Sequence, residues 1–191
     1  MDNFGRSASL WITGLGRLGE CGILTARRRL RRAAVELRGA RVVLRDVVMG
    51  DEPRLQEILA TPEVSRWWSP VDDFAGMLSI AVKGEVIGGI QYTEEDDPMY
   101  HSAGIDIFVD PAWHGQGFGQ ESVRLLAQWL IDERGHHRLT IDPAAANSVA
   151  IKSYERLGFR PVGVMRAYER DHATGEFHDG LLMDLLAGEL T

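Results

Sequence analysis

The sequence predicts an α/β (α+β) fold: a twisted, mostly antiparallel sheet with a parallel pair at its centre and helices on its faces. Two predicted hairpins, residues 78–92 and 161–186, indicate antiparallel pairing at the two ends of the folded region. Between them, a strand, a glycine-rich turn and an amphipathic helix are followed by a second strand and a second helix. Because strands that alternate with helices tend to pair in parallel, the centre of the sheet is predicted to contain parallel pairing.

The first predicted elements are a strand and a helix. Residues 41–48 are rich in β-branched side chains and partly alternate in polarity, which indicates a strand. A proline suits the first turn of a helix over residues 53–60, whose apolar side chains share one face. Pro62 is expected to end this helix, residues 67–70 to form a loop, and residues 71–77 to form a second short helix.

The middle of the chain leads into the glycine-rich turn. The hairpin over residues 78–92 reverses at a glycine-containing turn, and an acidic loop is predicted over residues 94–98. A strand over residues 103–109 then precedes three glycines and an amphipathic helix that ends at Gly135. The helix carries its apolar residues on one face: Val123, Leu126, Ala127 and Leu130.

The last predicted elements are a strand, a helix and a hairpin. Residues 137–141 indicate a strand, and Asn147 is a favourable N-cap for the helix that follows. Gly158 is predicted to end that helix, because glycine readily adopts the left-handed conformation common just beyond helix ends. The hairpin over residues 161–186 is expected to reverse around residues 171–175.

Length and composition predict one domain with an extension. The chain has 191 residues, of which 45% are hydrophobic and 26% charged, as in ordinary globular proteins. Residues 1–35 are rich in glycine and then arginine without a core periodicity, so they are predicted to be a basic, poorly ordered N-terminal extension. A short basic helix that contacts acidic partners or anionic lipid is the alternative. Residues 36–191 are predicted to form the single folded domain.

Charge is distributed unevenly along the chain. Residues 1–40 contain eight arginines and three acidic residues, a net charge of +5, so the remainder of a chain with formal charge −7 carries −12. An acidic body repels nucleic acid and favours a cationic partner, although a merely solubilising surface would have the same charge. The sequence therefore predicts no nucleic-acid partner and a small cationic substrate.

Cysteine content and hydropathy bear on the compartment. The lone Cys21 excludes an internal disulfide and fits a reducing environment. No stretch approaches the roughly 18 consecutive apolar residues of a membrane span. Residues 8–24 are faintly similar to a signal peptide, but glycines interrupt the apolar run and the arginines follow it. A cytoplasmic protein that does not bind membranes is predicted.

The histidines show no metal-binding pattern. Their spacing relative to cysteines and carboxylates matches no metal-ligand motif, so no metal is predicted. The adjacent His136 and His137 are expected to contribute to a helix cap. The six histidines are His101, His114, His136, His137, His172 and His178.

The glycine-rich turn has the composition of a phosphate-binding loop. Its glycines, Gly115, Gly117 and Gly119, permit positive φ and leave the backbone open to a ligand. Such a turn directs backbone N–H groups towards an anion at the N-terminus of a helix. The spacing G-x-G-x-G does not match the dinucleotide fingerprint G-x-G-x-x-G, and no Gly-Lys-Ser/Thr is present, so a P-loop is excluded.

Two landmarks together resemble the GNAT acetyltransferase superfamily. Residues 109–119, VDPAWHGQGFG, resemble its acetyl-CoA loop, whose pattern is Arg/Gln-x-x-Gly-x-Gly/Ala. About 28 residues later, the run from Asn147 through Ala150 and Tyr154 to Gly158-Phe159 resembles its second landmark, the helix beside the pantetheine and thiol. The resemblance covers residues 36–190 or so and implies the GNAT-type fold. The family usually has Arg or Gln where this chain has His114, which implies weaker cofactor binding at that corner.

The resemblance implies acetyl-CoA as the donor and assigns residues to it. Tyr154 corresponds to the general acid beside the coenzyme sulfur, with an aromatic core residue as the alternative role. Backbone N–H groups near Phe108 and Val109 are expected to polarise the acetyl carbonyl. The implied cofactor-binding residues are Phe108, Val109, His114, Gly115, Gln116, Gly117, Gly119, Gln120, Asn147 and Tyr154.

Within the superfamily, the sequence is most similar to aminoglycoside 6′-N-acetyltransferases. The similarity rests on short runs at residues 67–68, 91–92, 104–106 and 140–143, together with Asn147. In those enzymes such acidic and aromatic positions line a cleft for a polyamine sugar. The implied acceptor-binding residues are Trp67, Trp68, Tyr92, Asp106 and Asp142. Residues 178–184 instead resemble acetyltransferases that modify ribosomal-protein N-termini.

Two carboxylates are candidates for the acceptor chemistry. Asp106 interrupts an otherwise apolar strand, where it is a candidate general base for the acceptor ammonium; a solvated surface aspartate is the alternative. By alternation it shares a face with Gly104 and Phe108. Asp142 follows the next strand at the same sheet edge, with a turn-forming role before Pro143 as the alternative. Two carboxylates suit an acceptor with two positive charges.

The leading hypothesis is an acetyl-CoA-dependent N-acetyltransferase that acts on a primary amine by direct transfer in a ternary complex, with the 6′-amino group of an aminoglycoside as acceptor. The alternatives are an enzyme for protein N-termini or small amines and a non-catalytic acyl-CoA-binding module. The protein is expected to be a monomer or a homodimer.

Overall fold

The computed structural model describes residues 34–171 and 174–191, which belong to one compact unit, Ala33–Thr191. Cys21, nearly all of the predicted extension and His172 lie outside the described residues. The strands are β1 Glu36–Arg38, β2 Val43–Asp46, β3 Leu78–Val82, β4 Glu85–Glu95, β5 Ser102–Val109, β6 Arg138–Ile141, β7 Arg160–Arg170 and β8 Phe177–Leu186. The α-helices are α1 Glu52–Leu59, α2 Pro62–Ser65, α3 Phe118–Asp132 and α4 Ser148–Glu155, and Pro111–Trp113 and Ala187–Glu189 form 3-10 turns.

The strands form one sheet in the order β1-β2-β3-β4-β5-β6-β8-β7. Among the described strands, β5 and β6 form the one parallel pair, and the other neighbours are antiparallel. This arrangement confirms the predicted fold class. In the described residues, no helix has the length and apolar character needed to cross a membrane.

The parallel pairing of β5 and β6 is short. It joins Ala103 to Leu139 and Gly104 to Thr140, after which the two strands separate. β5 continues to Val109 along β4, and β6 continues to Ile141 along β8. The separation leaves an opening in the middle of the sheet, here called the β5–β6 opening.

Two apolar clusters cover the sheet. The larger contains Leu126 and Leu130 of α3 together with Ile105 and Leu139 of the central strands. The smaller contains residues of α1 and Phe108. Because side chains alternate along a strand, Ile105 and Phe108 project from opposite faces of β5, as the sequence predicted. Each fully buried Leu, Ile or Phe contributes about 1.5–3 kcal/mol of hydrophobic stabilisation, so both clusters hold the central strands firmly.

One local prediction was incomplete and two were wrong. The first predicted helix does end before Pro62, since α1 stops at Leu59, but Pro62 also begins α2, because proline fits the first helical turn. Residues 71–77 contain no helix: the side chain of Asp73 accepts a hydrogen bond from the amide of Ala75, which stabilises a turn, and Gly76 has φ +91°. Glu94 does not lie in a loop but near the end of β4, where its carboxylate is hydrogen-bonded.

Candidate active site

The glycine-rich turn joins β5 to α3 in a conformation that needs glycine. The side chain of Asp110 accepts a hydrogen bond from the amide of Ala112 and starts the 3-10 turn after β5. Gly115 and Gly117 then adopt φ values of +72° and +82°, in the left-handed region that residues with a Cβ avoid. Gly119 lies in the first turn of α3 with an ordinary φ. Two of the three predicted glycines are therefore required by backbone conformation.

The N-terminus of α3 presents uncapped amides. Gly117 is the N-cap, and no side chain of the described residues caps the helix there. The amide of Glu121 donates to the carbonyl of Gly117, at 3.0 Å, so the three preceding amides have no acceptor within the helix. These N–H groups and the helix dipole form a site for an anion such as a pyrophosphate.

A cavity of about 580 Å³ extends from this turn along α4 to the loop after α2. Most of the residues predicted to bind the cofactor line it, as do the two predicted acceptor tryptophans. Those that line it are Trp67, Trp68, Phe108, Val109, His114, Gly115, Gly117, Gly119, Gln120, Asn147 and Tyr154. Four predicted site residues do not line it: Tyr92, Asp106, Gln116 and Asp142.

The polar side chains of the turn contact the protein itself. His114 Nε2 lies 2.8 Å from the carbonyl oxygen of Val109, so the ring closes the turn onto the end of β5. Gln116 donates to the carbonyl of Ala112 at 3.2 Å and is exposed, away from the cavity. Because these side chains are engaged with protein carbonyls, the backbone amides are the groups left to bind an anion.

Tyr154 is buried on α4 beside the β5–β6 opening. The side chain of Asn147 accepts from the amide of Ala150 at 3.2 Å, which confirms the predicted N-cap and fixes the start of α4. Tyr154 is 9% exposed. Burial raises the pKa of its hydroxyl above the ordinary value, and the negative charges of Asp106 and Asp142 raise it further. The hydroxyl therefore keeps its proton throughout the physiological pH range.

Asp106 and Asp142 flank the β5–β6 opening. Each follows the last parallel pair, Gly104 and Thr140, by two residues on its own strand or just beyond it. Asp106 Oδ2 accepts a hydrogen bond from Gln91 Nε2 at 3.1 Å, which orients the carboxylate. The negative charges of both aspartates raise the pKa of the Tyr154 hydroxyl, so two carboxylates and one proton donor interact at the opening.

Backbone alternation along β5 determines which amides face the opening. The amide of Asp110 donates to Ile87 on β4, so the even-numbered residues of β5 direct N–H and C=O towards β4. The odd-numbered residues direct theirs away from β4. The amides of Ile107 and Val109 therefore face the opening. The Phe108 amide faces β4, so among the N–H groups near Phe108 and Val109 those of Ile107 and Val109 are the candidates for polarising a carbonyl, and that role stays a prediction.

The comparison with known sequences identifies the family. The sequence profile of the Acetyltransferase (GNAT) family matches residues 43–159, more than half of the chain. The chain belongs to this family. It is accordingly an acetyltransferase, and GNAT acetyltransferases use acetyl-CoA. The glycine turn and the uncapped amides of α3 fit the pyrophosphate of that donor.

Solved structures of other GNAT proteins have the same fold. One is the ribosomal-protein-S5-alanine acetyltransferase of Vibrio fischeri, with a TM-score of 0.69 and 15% identity over 82% of this chain and 99% of that one. Another is Mycobacterium smegmatis RimJ in complex with CoA-disulfide, with a TM-score of 0.69 and 22% identity over 82% and 88%. A third is a spermidine N-acetyltransferase SpeG chimera from Vibrio cholerae and hSSAT, with a TM-score of 0.67 and 18% identity over 78% and 97%.

The two tryptophans of this GNAT protein have different environments. Trp68 Nε1 donates to the carbonyl of Ile107 at 3.2 Å, and its ring packs edge-on against Phe108 at 4.9 Å. Trp68 thus anchors the loop after α2 to the central strand. Trp67 carries the guanidinium of Arg66 over its ring at 4.8 Å and forms part of the cavity wall.

Tyr92 lies on the other face of the sheet. It is paired with Ile105 on β5, and its ring packs edge-on against Trp129 of α3 at 5.5 Å. Adjacent residues of a strand face opposite sides, so Tyr92 is separated by the sheet from the face of Asp106. The structure does not support the prediction that Tyr92 binds the acceptor.

His136 does not cap a helix with its side chain. The imidazole is buried, its Nε2 lies 2.8 Å from Glu94 Oε1, and its ring stacks on His101 at 4.2 Å. The backbone amide of His136, however, donates to the carbonyl of Leu130 at 3.0 Å, so His136 contributes to the C-terminal cap of α3 through its backbone and not through its imidazole. Within residues 34–171 and 174–191, no group of three or more His, Cys, Asp or Glu side chains is arranged to hold a metal ion. The absence of a metal stays a prediction.

Sequence reasoning missed several residues at the cavity. Arg66 and Glu63 line it from α2 and the following loop, and Arg156 lines it from the end of α4. Nothing in the sequence pattern distinguishes these charges from ordinary surface residues. Ile107 was also not named as an amide donor, because the hydrogen bond from Asp110 to Ile87, which fixes the direction of the β5 amides, is not readable from the sequence.

Proposed function

We propose that the protein transfers the acetyl group of acetyl-CoA directly to a primary amine of a small acceptor that carries at least one further positive charge. The 6′-amino group of an aminoglycoside is the specific acceptor proposed, in keeping with the sequence resemblance. The observation that carries the proposal is the pair of carboxylates, Asp106 and Asp142, beside the buried hydroxyl of Tyr154.

The donor is assigned to the cavity. The amides of Phe118, Gly119 and Gln120, with the left-handed Gly115 and Gly117, provide the site for the pyrophosphate. The N-terminal part of α4, which begins after Asn147, lines the path from that site towards Tyr154. Acetyl-CoA supplies an acetyl group held as a thioester and a thiol that must gain a proton on leaving.

The residues around the β5–β6 opening supply the proton transfers. Asp106, oriented by Gln91, accepts a proton from the acceptor ammonium directly or through water, because only a neutral amine is a nucleophile. The amides of Ile107 and Val109 donate to the acetyl oxygen. As the C–N bond forms and the C–S bond breaks, Tyr154 donates its retained proton to the sulfur, and the second proton that the acceptor nitrogen loses returns to the Tyr154 oxygen.

Asp142 gives the site its preference for acceptors that carry a second positive charge. One carboxylate suffices to hold and deprotonate a single ammonium group. A second carboxylate across the opening stabilises another positive charge on the same acceptor, and repels an acceptor with an acid group near the reacting amine. The net charge of −12 over residues 41–191 favours association with polycations in general.

A second candidate acceptor is the α-amino group of a protein. Two cations, Arg66 and Arg156, line the cavity, and neither favours a polycation nearby. They would instead pair with acidic side chains of a peptide or with phosphates of the donor. The named substrates of structurally similar proteins include a ribosomal protein and spermidine, so both acceptor classes occur on this fold.

An acceptor panel tests the proposal. Thiol release from acetyl-CoA is followed with kanamycin, tobramycin, spermidine and a peptide that begins with Ala or Ser. Kanamycin and tobramycin are expected to give the highest kcat/KM, with the acetyl group on the 6′-amine by mass spectrometry and NMR. Turnover with the peptide alone would replace the proposed acceptor with a protein N-terminus. Donor binding without turnover of any amine would contradict the proposed reaction.

A further inference from the structure

The glycine turn has an unexpected negative charge beside it. Glu121 lies in the first turn of α3, and its side chain is 16% exposed. A carboxylate at the positive end of a helix stabilises that helix. However, the same end of α3 is the proposed pyrophosphate site, where a carboxylate would repel the donor unless another group cancels its charge.

Arg41 cancels the charge of Glu121. This arginine follows β1 in the turn that leads to β2, and its Nε lies 2.7 Å from Glu121 Oε2. The backbone amides of Arg41 and Val42 donate to Glu121 Oε1 at 2.6 and 3.2 Å. Burial alone would raise the pKa of Glu121, but these contacts with Arg41 and Val42 hold it below its ordinary value. The carboxylate is therefore ionised and already paired.

The same guanidinium holds the turn. Arg41 Nη1 donates to the carbonyl of Gln116 at 3.0 Å, and the guanidinium lies over the ring of Phe118 at 4.6 Å. Gly117, between these two residues, is the left-handed N-cap of α3, and a Cβ there would lie 3.3 Å from Arg41 Nη2. Arg41 therefore contacts both neighbours of the residue whose conformation begins the helix.

The turn has no permanent positive charge of its own. Residues 109–120 contain neither lysine nor arginine. His114 stands where the family usually has Arg or Gln, and its ring is engaged with the carbonyl of Val109. Arg41, about 75 residues earlier in the chain, is the arginine that the structure brings to the turn.

We propose that Arg41 is the positioning residue of the donor site: it holds residues 116–118 in the anion-binding conformation and cancels the charge of Glu121. This inference rests on the proposed acetyl-CoA site. Because Arg41 acts on the pyrophosphate end, its loss weakens donor binding and leaves the transfer step at the β5–β6 opening unaffected.

Two donors separate this role from a general structural one. Acetyl-CoA contains the pyrophosphate, whereas S-acetyl-pantetheine contains the same thioester without it. In Arg41→Gln, KM for acetyl-CoA is expected to rise about tenfold, which corresponds to about 1.4 kcal/mol of binding free energy. The kcat at saturating acetyl-CoA and the kcat/KM for S-acetyl-pantetheine are expected to match the wild type. Arg38→Gln is the matched control, since Arg38 pairs with Glu36 on β1 and should leave KM unchanged.

A second variant tests the effect of the Glu121 charge on donor binding. Glu121→Gln removes the carboxylate charge but keeps an oxygen for the amides of Arg41 and Val42. Its KM for acetyl-CoA is expected to fall about two- to threefold, because the Arg41 cation is then uncompensated near the pyrophosphate. The double variant is expected to have a lower KM than Arg41→Gln alone. Thermal melts verify that each variant is folded. If Arg41→Gln does not fold, Arg41→Lys replaces it, because lysine keeps the positive charge but cannot contact Glu121 and the carbonyl of Gln116 at the same time.

The outcomes distinguish the two proposals. If the wild type binds CoA and Arg41→Gln has an unchanged KM, or loses activity equally with both donors, the role of Arg41 is overturned and the donor site stands. If the wild type binds no CoA by calorimetry, the donor site itself is wrong and the inference fails with it.

Discussion

Asp106 and Asp142 lie on the two sides of the β5–β6 opening, each two residues beyond the last parallel pair of the sheet, and both act electrostatically on the hydroxyl of Tyr154. The relation follows from topology. Parallel pairing stops after Gly104 and Thr140, while β5 continues along β4 and β6 continues along β8. The second position after the last parallel pair therefore lies at the edge of the opening on each side. In this chain both residues are aspartates.

The role of Asp106 as proton acceptor predicts a large loss of turnover in the variant Asp106→Asn. Asparagine keeps the shape and can still bond to Gln91, but it does not take a proton from the acceptor ammonium. Turnover at neutral pH is expected to fall by ~10²-fold or more, with KM for acetyl-CoA unchanged. Steady-state kinetics measure both quantities. Asp96→Asn, an exposed aspartate after β4, is the control and should behave as the wild type. An unchanged turnover in Asp106→Asn would make Asp106 a bystander.

The role of Tyr154 as proton donor predicts a kcat effect with a distinct pH profile. Tyr154→Phe removes only the hydroxyl, so the packing against Phe159 is kept and kcat is expected to fall by ~10²-fold at constant KM for the donor. Because the pKa of Tyr154 is raised, the wild-type kcat should not decline through loss of this proton up to about pH 10. A decline centred at or below about pH 10 that disappears in Tyr154→Phe would show that the pKa of the hydroxyl is not raised and that Tyr154 is not the buried acid described here.

Asp51 is expected to make stability depend on pH. The carboxylate accepts from Arg45, Ser79 and the amide of Val48, and its side chain is 8% exposed. The hydrogen bond from Arg45 is the main cause that lowers its pKa from 3.8 to about 2. A depressed folded-state pKa stabilises the protein above the unfolded pKa and ceases to do so as pH falls through the folded one, here between about pH 4 and pH 2.

The matching experiment is urea unfolding of Asp51→Asn. The free energy of unfolding at pH 7 is expected to fall by about 2 kcal/mol, and the difference from the wild type should shrink as pH approaches 2. The exposed Asp72→Asn is the control and should change little at any pH. A difference that stays constant from pH 7 to pH 2 would mean that the loss does not come from the charge of Asp51.

The sequence predicted the parts of the site that depend on local backbone chemistry. Glycines at 115 and 117 are needed for positive φ, and Asn147 is a good N-cap in any context, so both were predicted correctly. The two hairpins, the strands β2, β5 and β6 and the helices α1, α3 and α4 also followed from local patterns, whereas β1 and α2 were not predicted. These features do not depend on what lies across the sheet.

What the sequence could not predict depends on long-range packing. Tyr92 was placed with the acceptor residues, but the register of β4 on β5 directs it to Trp129. Arg41 was read as the start of a strand, and its contact with the glycine turn arises only when β2 packs near α3. The carboxylate of Glu94 in the predicted loop is used by Arg134 and His136, which lie about 40 residues away.

The proposed role of Asp142 is to make the site select acceptors with a second positive charge. The measurement compares the best acceptor of the panel with its derivative in which every amine except the reacting one is acetylated, in the wild type and in Asp142→Asn. The wild type is expected to prefer the parent acceptor by about tenfold or more in kcat/KM, and Asp142→Asn should reduce this preference to about twofold while the derivative reacts as before. An equal preference for the parent acceptor in the wild type and in Asp142→Asn would contradict this role of Asp142.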